Sequence, residues 1–403
     1  MLRLWWKDYT CSFQKGWNNE KDALKNRKEE DMENTKKQLN FWRCAAIIEL
    51  VALLIIGIVF ANGRGAAPAE VPSETPEEVV AEPLTLWSEG SAPKQKLIDF
   101  VTAVTDETSM DFIPVEDRIA VFDMDGTLAC ETYYTYYDTM MFIEYCLHDY
   151  PDKVSDELKE VAAAIKPGYV ADETLARNFA KAYAGMTVEE FYDYAVQFGQ
   201  KKTQSFNNMR YIDNFYLPMV ELVKYLYDNQ FTVYVISGTE RTTTRAIVAN
   251  SPIAQYVTPE HVIGTDFEVK QAGHEEESSN MNYKYEDGDE LVLTGGFLQK
   301  NLNSNKAIYI DQEIGQRPVL AFGNSGSDTS MMNYTIDSRN PYRAEAYMIV
   351  ADDSEREWGT ADWEKKSAEY TEKGYTPISM KNDFSVIYAE GITKAEQQYT
   401  PAE

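Results

Sequence analysis

The chain has 403 residues, 66 acidic against 38 basic, and a formal net charge of −28 at pH 7. With 44% hydrophobic residues it has the material for a packed core, and a surface this negative repels nucleic acid and anionic polymers, so no nucleic-acid partner is expected. Its only histidines are His148, His261 and His274, none within the motifs below, which leaves a phosphohistidine mechanism or a His-rich zinc site without support.

Residues 1–44 read as a cytoplasmic or leader segment, with a second start available at Met32. Residues 50–61 are an uncharged apolar run, extended back to Ala45 across Glu49, so 45–61 is expected to be either a signal-peptide core or an uncleaved membrane anchor. The run falls short of the roughly 20 apolar residues of a span and suits a signal core of about 7–15. Lys36, Lys37 and Arg43 on its amino-terminal side predict an internal amino terminus and an exported remainder. Residues 1–61 hold ten basic and eight acidic residues, a net of +2, leaving −30 on the rest. Residues 62–92 turn to Pro, Ala and Glu with little periodicity and are expected to be a disordered tether. A helix then opens at Pro93, with Leu97, Phe100, Val101 and Val104 on one face.

The stretch Val121-Phe122-Asp123-Met124-Asp125-Gly126-Thr127-Leu128 reads as a buried strand ending in a turn with two carboxylates. Such a strand end is where open α/β sheets bind ligands, and Gly126 lets the backbone approach an anion. Residues 129–230 then read as a helical insertion. It begins with Glu131-Thr132-Tyr133-Tyr134-Thr135-Tyr136-Tyr137, which either holds a cationic head group through Glu131, Tyr133 and Tyr134 or packs an interface together with Met140, Met141 and Phe142. Helices are expected over 153–166 and 172–184, divided by Pro167-Gly168, and after a capping box at Thr187 and Glu190. Cys130 and Cys146 either pair or remain packed thiols.

A second core strand over 231–236 ends at Ser237-Gly238-Thr239. A hairpin is expected between 281–285 and 291–293, around Asp287-Gly288. Lys306, with Lys300 as runner-up, opens a later helix. Val319-Leu320-Ala321-Phe322-Gly323-Asn324-Ser325-Gly326-Ser327-Asp328 carries a third core strand into a polar loop. A strand over 346–350 and a helix through Trp363 ending near Gly374 complete the pattern.

In order and spacing these four motifs resemble those of the haloacid dehalogenase superfamily of phosphatases. The resemblance implies a doubly wound, Rossmann-like α/β fold with a mainly parallel sheet over 93–128 and 231–403. It also implies a helical cap over 129–230, similar to that of phosphoserine and phosphorylcholine phosphatases, closing over a small phosphate monoester such as phosphorylcholine. Asp123 would attack phosphorus and become an aspartyl-phosphate, and Asp125 would protonate the leaving alcohol and later deprotonate water. Superfamily members that transport ions usually carry threonine at the position of Asp125, so the aspartate favours a phosphatase. Ser237, the amides around Gly238, and Lys306 would neutralise the phosphoryl group. Mg²⁺ would be held by Asp123, the carbonyl of Asp125 and the fourth-motif loop. The family pattern there is G-D-x-x-x-D, and this chain departs from it with Asn324, so weaker metal affinity is expected, with Asp328 supplying charge. A non-catalytic binding protein on the same scaffold and a phosphotransferase are the alternative readings.

Overall fold

The computed structural model describes residues 83–130, 135–168, 172–277, 280–396 and 401. The expectations for 1–61 lie outside the described residues, as do those for Glu131, Tyr133 and Tyr134. Among the described residues no helix is long and apolar enough to cross a membrane.

The apolar run at Ile119–Phe122 (β1) is the centre of a seven-stranded sheet, and all four of its residues are buried. It pairs in parallel with Thr232–Glu240 (β3) on one side, Ile119 opposite Thr232, and with Leu320–Gly323 (β6) on the other, Ala120 opposite Leu320. Outward from β6 lie Glu345–Val350 (β7) and Thr376–Ser379 (β8), both parallel. Outward from β3 lie the parallel Val262–Gln271 (β4) and the antiparallel edge Leu291–Gln299 (β5). A separate ribbon joins Phe206–Asn207 (β2) to Thr393–Lys394 (β9).

Strand alternation divides the core into two layers. Ala120, Phe122, Val233, Leu320 and Phe322 face one layer with Phe100, Leu222 and Trp87, while Ile119, Val121, Ala321 and Met348 face another with Tyr309, Met331 and Tyr370. Both faces of a parallel sheet are therefore covered, which is why its strands read as continuous apolar runs. The helix expected at Pro93 spans Ala92–Thr105, capped by Ser91, and its four apolar positions are buried.

The insertion after β1 folds as four helices, Tyr137–Glu144, Asp156–Ala164, Glu173–Ala182 and Val188–Gly199. The capping box is present, with Thr187 N donating to Glu190 Oε2 and Glu190 N to Thr187 Oγ1, each at 3.0 Å. Tyr137, Met140, Met141 and Phe142 are buried, so these members of the aromatic run pack the interior. The insertion is fixed to the sheet through β5: Gly185 N donates to Leu293 O at 2.7 Å and Leu293 N to Met186 O at 2.9 Å. That pairing covers part of an otherwise open sheet edge. Cys130 and Cys146 are both buried and form no disulfide with each other.

Three expectations are corrected. The hairpin arm opposite β5 is β4, not 281–285, because the buried strand after Ser237-Gly238-Thr239 runs on past the sheet, and Asp287-Gly288 turns within the connecting loop. The last helix of the stretch assigned to the cap, Leu217–Asp228, packs instead against β3. Residues 83–91, placed in the tether by their Pro/Glu-rich surroundings, are folded. There Leu84 and Trp87 are each 2% exposed, Leu86 N donates to Glu221 Oε2 at 2.9 Å, and Trp87 Nε1 donates to Pro218 O at 3.0 Å. Trp87 also meets Phe384 edge-on, with ring centroids 5.0 Å apart. Trp87→Ala should therefore destabilise the protein by about 3–5 kcal/mol in urea unfolding, as a fully buried indole would.

Candidate active site

Asp123 is fixed at the end of β1 because its N–H continues the ladder to Phe322 O at 2.9 Å. The chain then turns tightly: Leu128 N and Ala129 N both donate to Met124 O, at 2.9 and 3.0 Å, and Gly126 takes a left-handed φ of 83°. A side chain is disfavoured in that conformation, which accounts for the glycine. The turn places Asp125 beside the end of β3, where Thr239 Oγ1 donates to its Oδ2 at 2.8 Å.

Lys306, in the helix Ser304–Tyr309, is completely buried. Its Nζ donates to Asp123 Oδ1 and, at 2.6 Å, to Asp328 Oδ1. Asp328 Oδ2 in turn accepts from the N–H groups of Asn324 at 3.1 Å and Ser325 at 3.0 Å, and from Ser325 Oγ at 3.2 Å. This fold-back of the loop requires Gly323, where a Cβ would stand 2.7 Å from both Asp328 Cβ and Met332 Cε. Ser237 is fully buried, and its Oγ accepts from Thr239 N at 3.0 Å. Asn301 braces the same turn by donating from Nδ2 to Ser237 O at 3.0 Å, and Thr265 Oγ1 donates to Gly238 O at 2.6 Å.

These groups surround a cavity of about 250 Å³ lined by Asp123, Asp125, Gly238, Thr239, Ser325 and Ser327, with Tyr136, Asp138, Lys300 and Leu302 on its outer wall. Burial, reinforced by the negative charge of Asp328, pushes Asp123 up to about 8 against the pull of Lys306. Burial, and then the charge of Asp138, pushes Asp125 up to about 7, partly offset by the Thr239 hydrogen bond. Burial pulls Lys306 down, but Asp123 and Asp328 outweigh it and hold the ammonium at about 12. Two buried aspartates raised towards neutrality beside a buried ammonium form the kind of perturbed cluster that general acid-base catalysis uses.

The donor set fits Mg²⁺. The Asn324 amide oxygen is buried with no hydrogen-bond partner among the described residues, on the loop that folds back onto Asp328. Mg²⁺ typically takes one or two carboxylates, other oxygens and water. Among the described residues no group of three or more His, Cys, Asp or Glu is placed to hold a metal, so the amide and carbonyl oxygens must contribute. Lys306 and two loop N–H groups engage the Asp328 oxygens, so Asp328 anchors the loop and sets a negative charge beside Asp123.

Thus Asp123, Asp125, Gly238, Lys306, Asn324 and Asp328 converge, with Ser237 behind the cavity wall. Sequence reasoning missed Thr239, Asn301 and Asp138 as parts of the site and ranked Lys300 second. Asp138 was detectable as an acid in the first turn of a largely apolar helical stretch, Tyr137–Glu144.

A buried lysine tying the strand-end aspartate to a second acid, beside an aspartate raised towards neutrality, lies at the centre of a phosphoric monoester hydrolase. The chain belongs to the haloacid dehalogenase-like hydrolase family, whose sequence model matches residues 120–333. Among curated proteins no sequence matches. Similar solved structures include a conserved protein of unknown function from Anaerococcus prevotii, 11% identical, with a TM-score of 0.42 over 71% of this chain and 91% of that one. They also include cytosolic 5'-nucleotidase IIIB bound to cytidine, 11% identical, TM-score 0.37, over 72% and 85%. A phosphoserine phosphohydrolase-like protein from Francisella tularensis is 14% identical, TM-score 0.31, over 58% and 87%. Similarity this low adds no argument to the assignment.

Because Asp125 is raised in the folded state, its contribution to stability is complete below the ordinary carboxylate range and is lost as pH rises through about 7. Asp125→Asn removes that loss. In metal-free protein the variant should melt above wild type at about pH 8, with a smaller gap at about pH 5.

Proposed function

We propose that this protein is an Mg²⁺-dependent phosphatase, exported or tethered to a membrane, that hydrolyses a small phosphate monoester through an aspartyl-phosphate. The observation that carries the reading is the buried Lys306 bridge between Asp123 and Asp328, which engages Asp123 Oδ1 and leaves Oδ2 without a hydrogen-bond partner among the described residues, on a side chain that lines the cavity.

Asp123 Oδ2 attacks phosphorus as the ester P–O bond breaks, and Asp125 passes its proton to the departing alkoxide oxygen. Asp125, now ionised, takes a proton from a water whose oxygen attacks the phosphoryl group. The acyl-phosphate P–O bond breaks, inorganic phosphate leaves and Asp123 is a carboxylate again. Thr239 keeps Asp125 aimed at the cavity in both steps through its 2.8 Å hydrogen bond. Main-chain N–H groups at the cavity wall hold the phosphoryl oxygens as charge develops, and Lys306 adds positive charge from beside Asp123. When bound by Asp123, the Asp125 carbonyl and Asn324, Mg²⁺ supplies further positive charge to those oxygens.

The cavity of about 250 Å³ favours a compact alcohol. The apolar run at 45–61, with lysines before it, supports export, and the remainder's net −30 supports a neutral, zwitterionic or cationic leaving group over a polyanionic one. A cationic or zwitterionic ester such as phosphorylcholine is the sequence-based expectation within that range. It depends on Glu131, Tyr133 and Tyr134, which lie outside the described residues.

One experiment tests the reading: hydrolysis of a generic aryl phosphate titrated with Mg²⁺ in wild type, Asp123→Asn and Asn324→Asp. Wild type should be active with metal and inactive after chelation, and Asp123→Asn should lose at least about a thousandfold in kcat. Asn324→Asp should reach half-maximal rate at a roughly tenfold lower Mg²⁺ concentration, because it restores a ligand charge. Equal, negligible rates in wild type and Asp123→Asn would favour a non-catalytic binding protein.

A further inference from the structure

The outer wall of the cavity carries two charges of opposite sign that the protein itself does not pair. Asp138 is 4% exposed, and among the described residues its carboxylate hydrogen-bonds only with the adjacent Thr139, whose Oγ1 donates to it at 3.2 Å. Lys300, directly after β5, lines the same cavity, and its ammonium has no hydrogen bond or ion pair among the described residues. The acids acting on it are Asp138 and Asp125, which line the cavity with it, and the more distant, exposed Asp172. Leaving a buried acid and a partly buried amine without an ionic partner is costly, so a ligand group that satisfies both gains correspondingly.

We infer that Asp138 and Lys300 determine specificity for the leaving alcohol, and that this alcohol carries a further hydroxyl, making the substrate a small polyol phosphate. The inference rests on the phosphatase reading and names its substrate class. A hydroxyl donates its hydrogen to the Asp138 carboxylate while its oxygen accepts from the Lys300 ammonium. Head groups that carry only one charged group satisfy fewer of these demands. A trimethylammonium group makes neither bond and brings its charge against Lys300. A primary ammonium can donate to Asp138 but cannot accept. A carboxylate can accept from Lys300, yet must enter beside Asp125 and Asp138, where like charge opposes it. Leu302 and Tyr136 supply apolar surface for the carbon chain beside these polar groups.

The test is a matched pair, glycerol 2-phosphate and isopropyl phosphate, which share a carbon skeleton and differ by two hydroxyls. Phosphorylcholine and phosphoserine serve as rivals. Binding to the full-length Asp123→Asn protein with Mg²⁺ is measured by calorimetry, and kcat/KM is measured in wild type. Glycerol 2-phosphate should bind at least about tenfold more tightly than isopropyl phosphate. Lys300→Met and Asp138→Ala, each checked by thermal melting, should bring that ratio towards one. If Asp138→Ala fails to fold, Lys300→Met reads the same subsite from its other side. Equal binding of the pair, a ratio unchanged by a folded variant, or tighter binding of phosphorylcholine or phosphoserine than of glycerol 2-phosphate would overturn the inference. Discrimination in binding without hydrolysis of any ester by wild type would uphold the hydroxyl subsite and refute the phosphatase reading, so the two failures are distinguishable.

Discussion

The ammonium of Lys306, sealed from water between Asp123 and Asp328, is the interaction on which the site depends. A buried ammonium is tolerable only when carboxylates surround it, and two carboxylates can stand so close only with the cation between them. The three residues come from the end of β1, the helix Ser304–Tyr309 and the loop beyond β6, so the bridge holds only if β1 and β6 are neighbours in register. Their parallel pairing, carried one residue further by the Asp123 N–H, meets that condition. Fold and site are therefore one constraint seen at two scales.

Around that bridge the remaining groups divide the labour by environment. Asp123 and Asp125 are two residues apart, yet one faces a lysine and the other a threonine hydroxyl, and burial raises both, with Lys306 pulling Asp123 and Thr239 pulling Asp125 back towards the charged form. The same burial that tunes Asp125 works against stability at neutral pH, a common cost of active-site chemistry. The insertion shapes the outer wall and is anchored through main-chain bonds to β5. Asp138 and Lys300 thus meet across elements that are far apart in sequence.

Much of this was legible in the sequence because its central strands are buried on both faces. β1, β3, β6 and β7 appear as short apolar runs, and the polar residues that follow them mark the ligand-binding end of the sheet. The capping box at Thr187 and the proline at the start of Ala92–Thr105 are local signals and hold locally. What escaped depends on tertiary contact. Trp87 and Leu84 sit in a Pro/Glu-rich stretch whose average composition hides two anchors, and the antiparallel partner of β5 is the continuation of a core strand rather than its nearest sequence neighbour. The anchoring role of Asp328 follows from the folding back of its own loop onto Asn324 and Ser325, which a motif pattern does not encode.

The most direct test of the account is whether phosphate becomes covalently attached to Asp123. Asp125→Asn protein, slowed in releasing the phosphoryl group, is mixed with substrate and Mg²⁺, quenched in acid, digested and analysed by mass spectrometry. One phosphoryl group on the peptide containing Asp123, absent from that peptide when Asp123→Asn is added, is the predicted result. Turnover with no adduct at Asp123, or with the adduct on another residue, would contradict it.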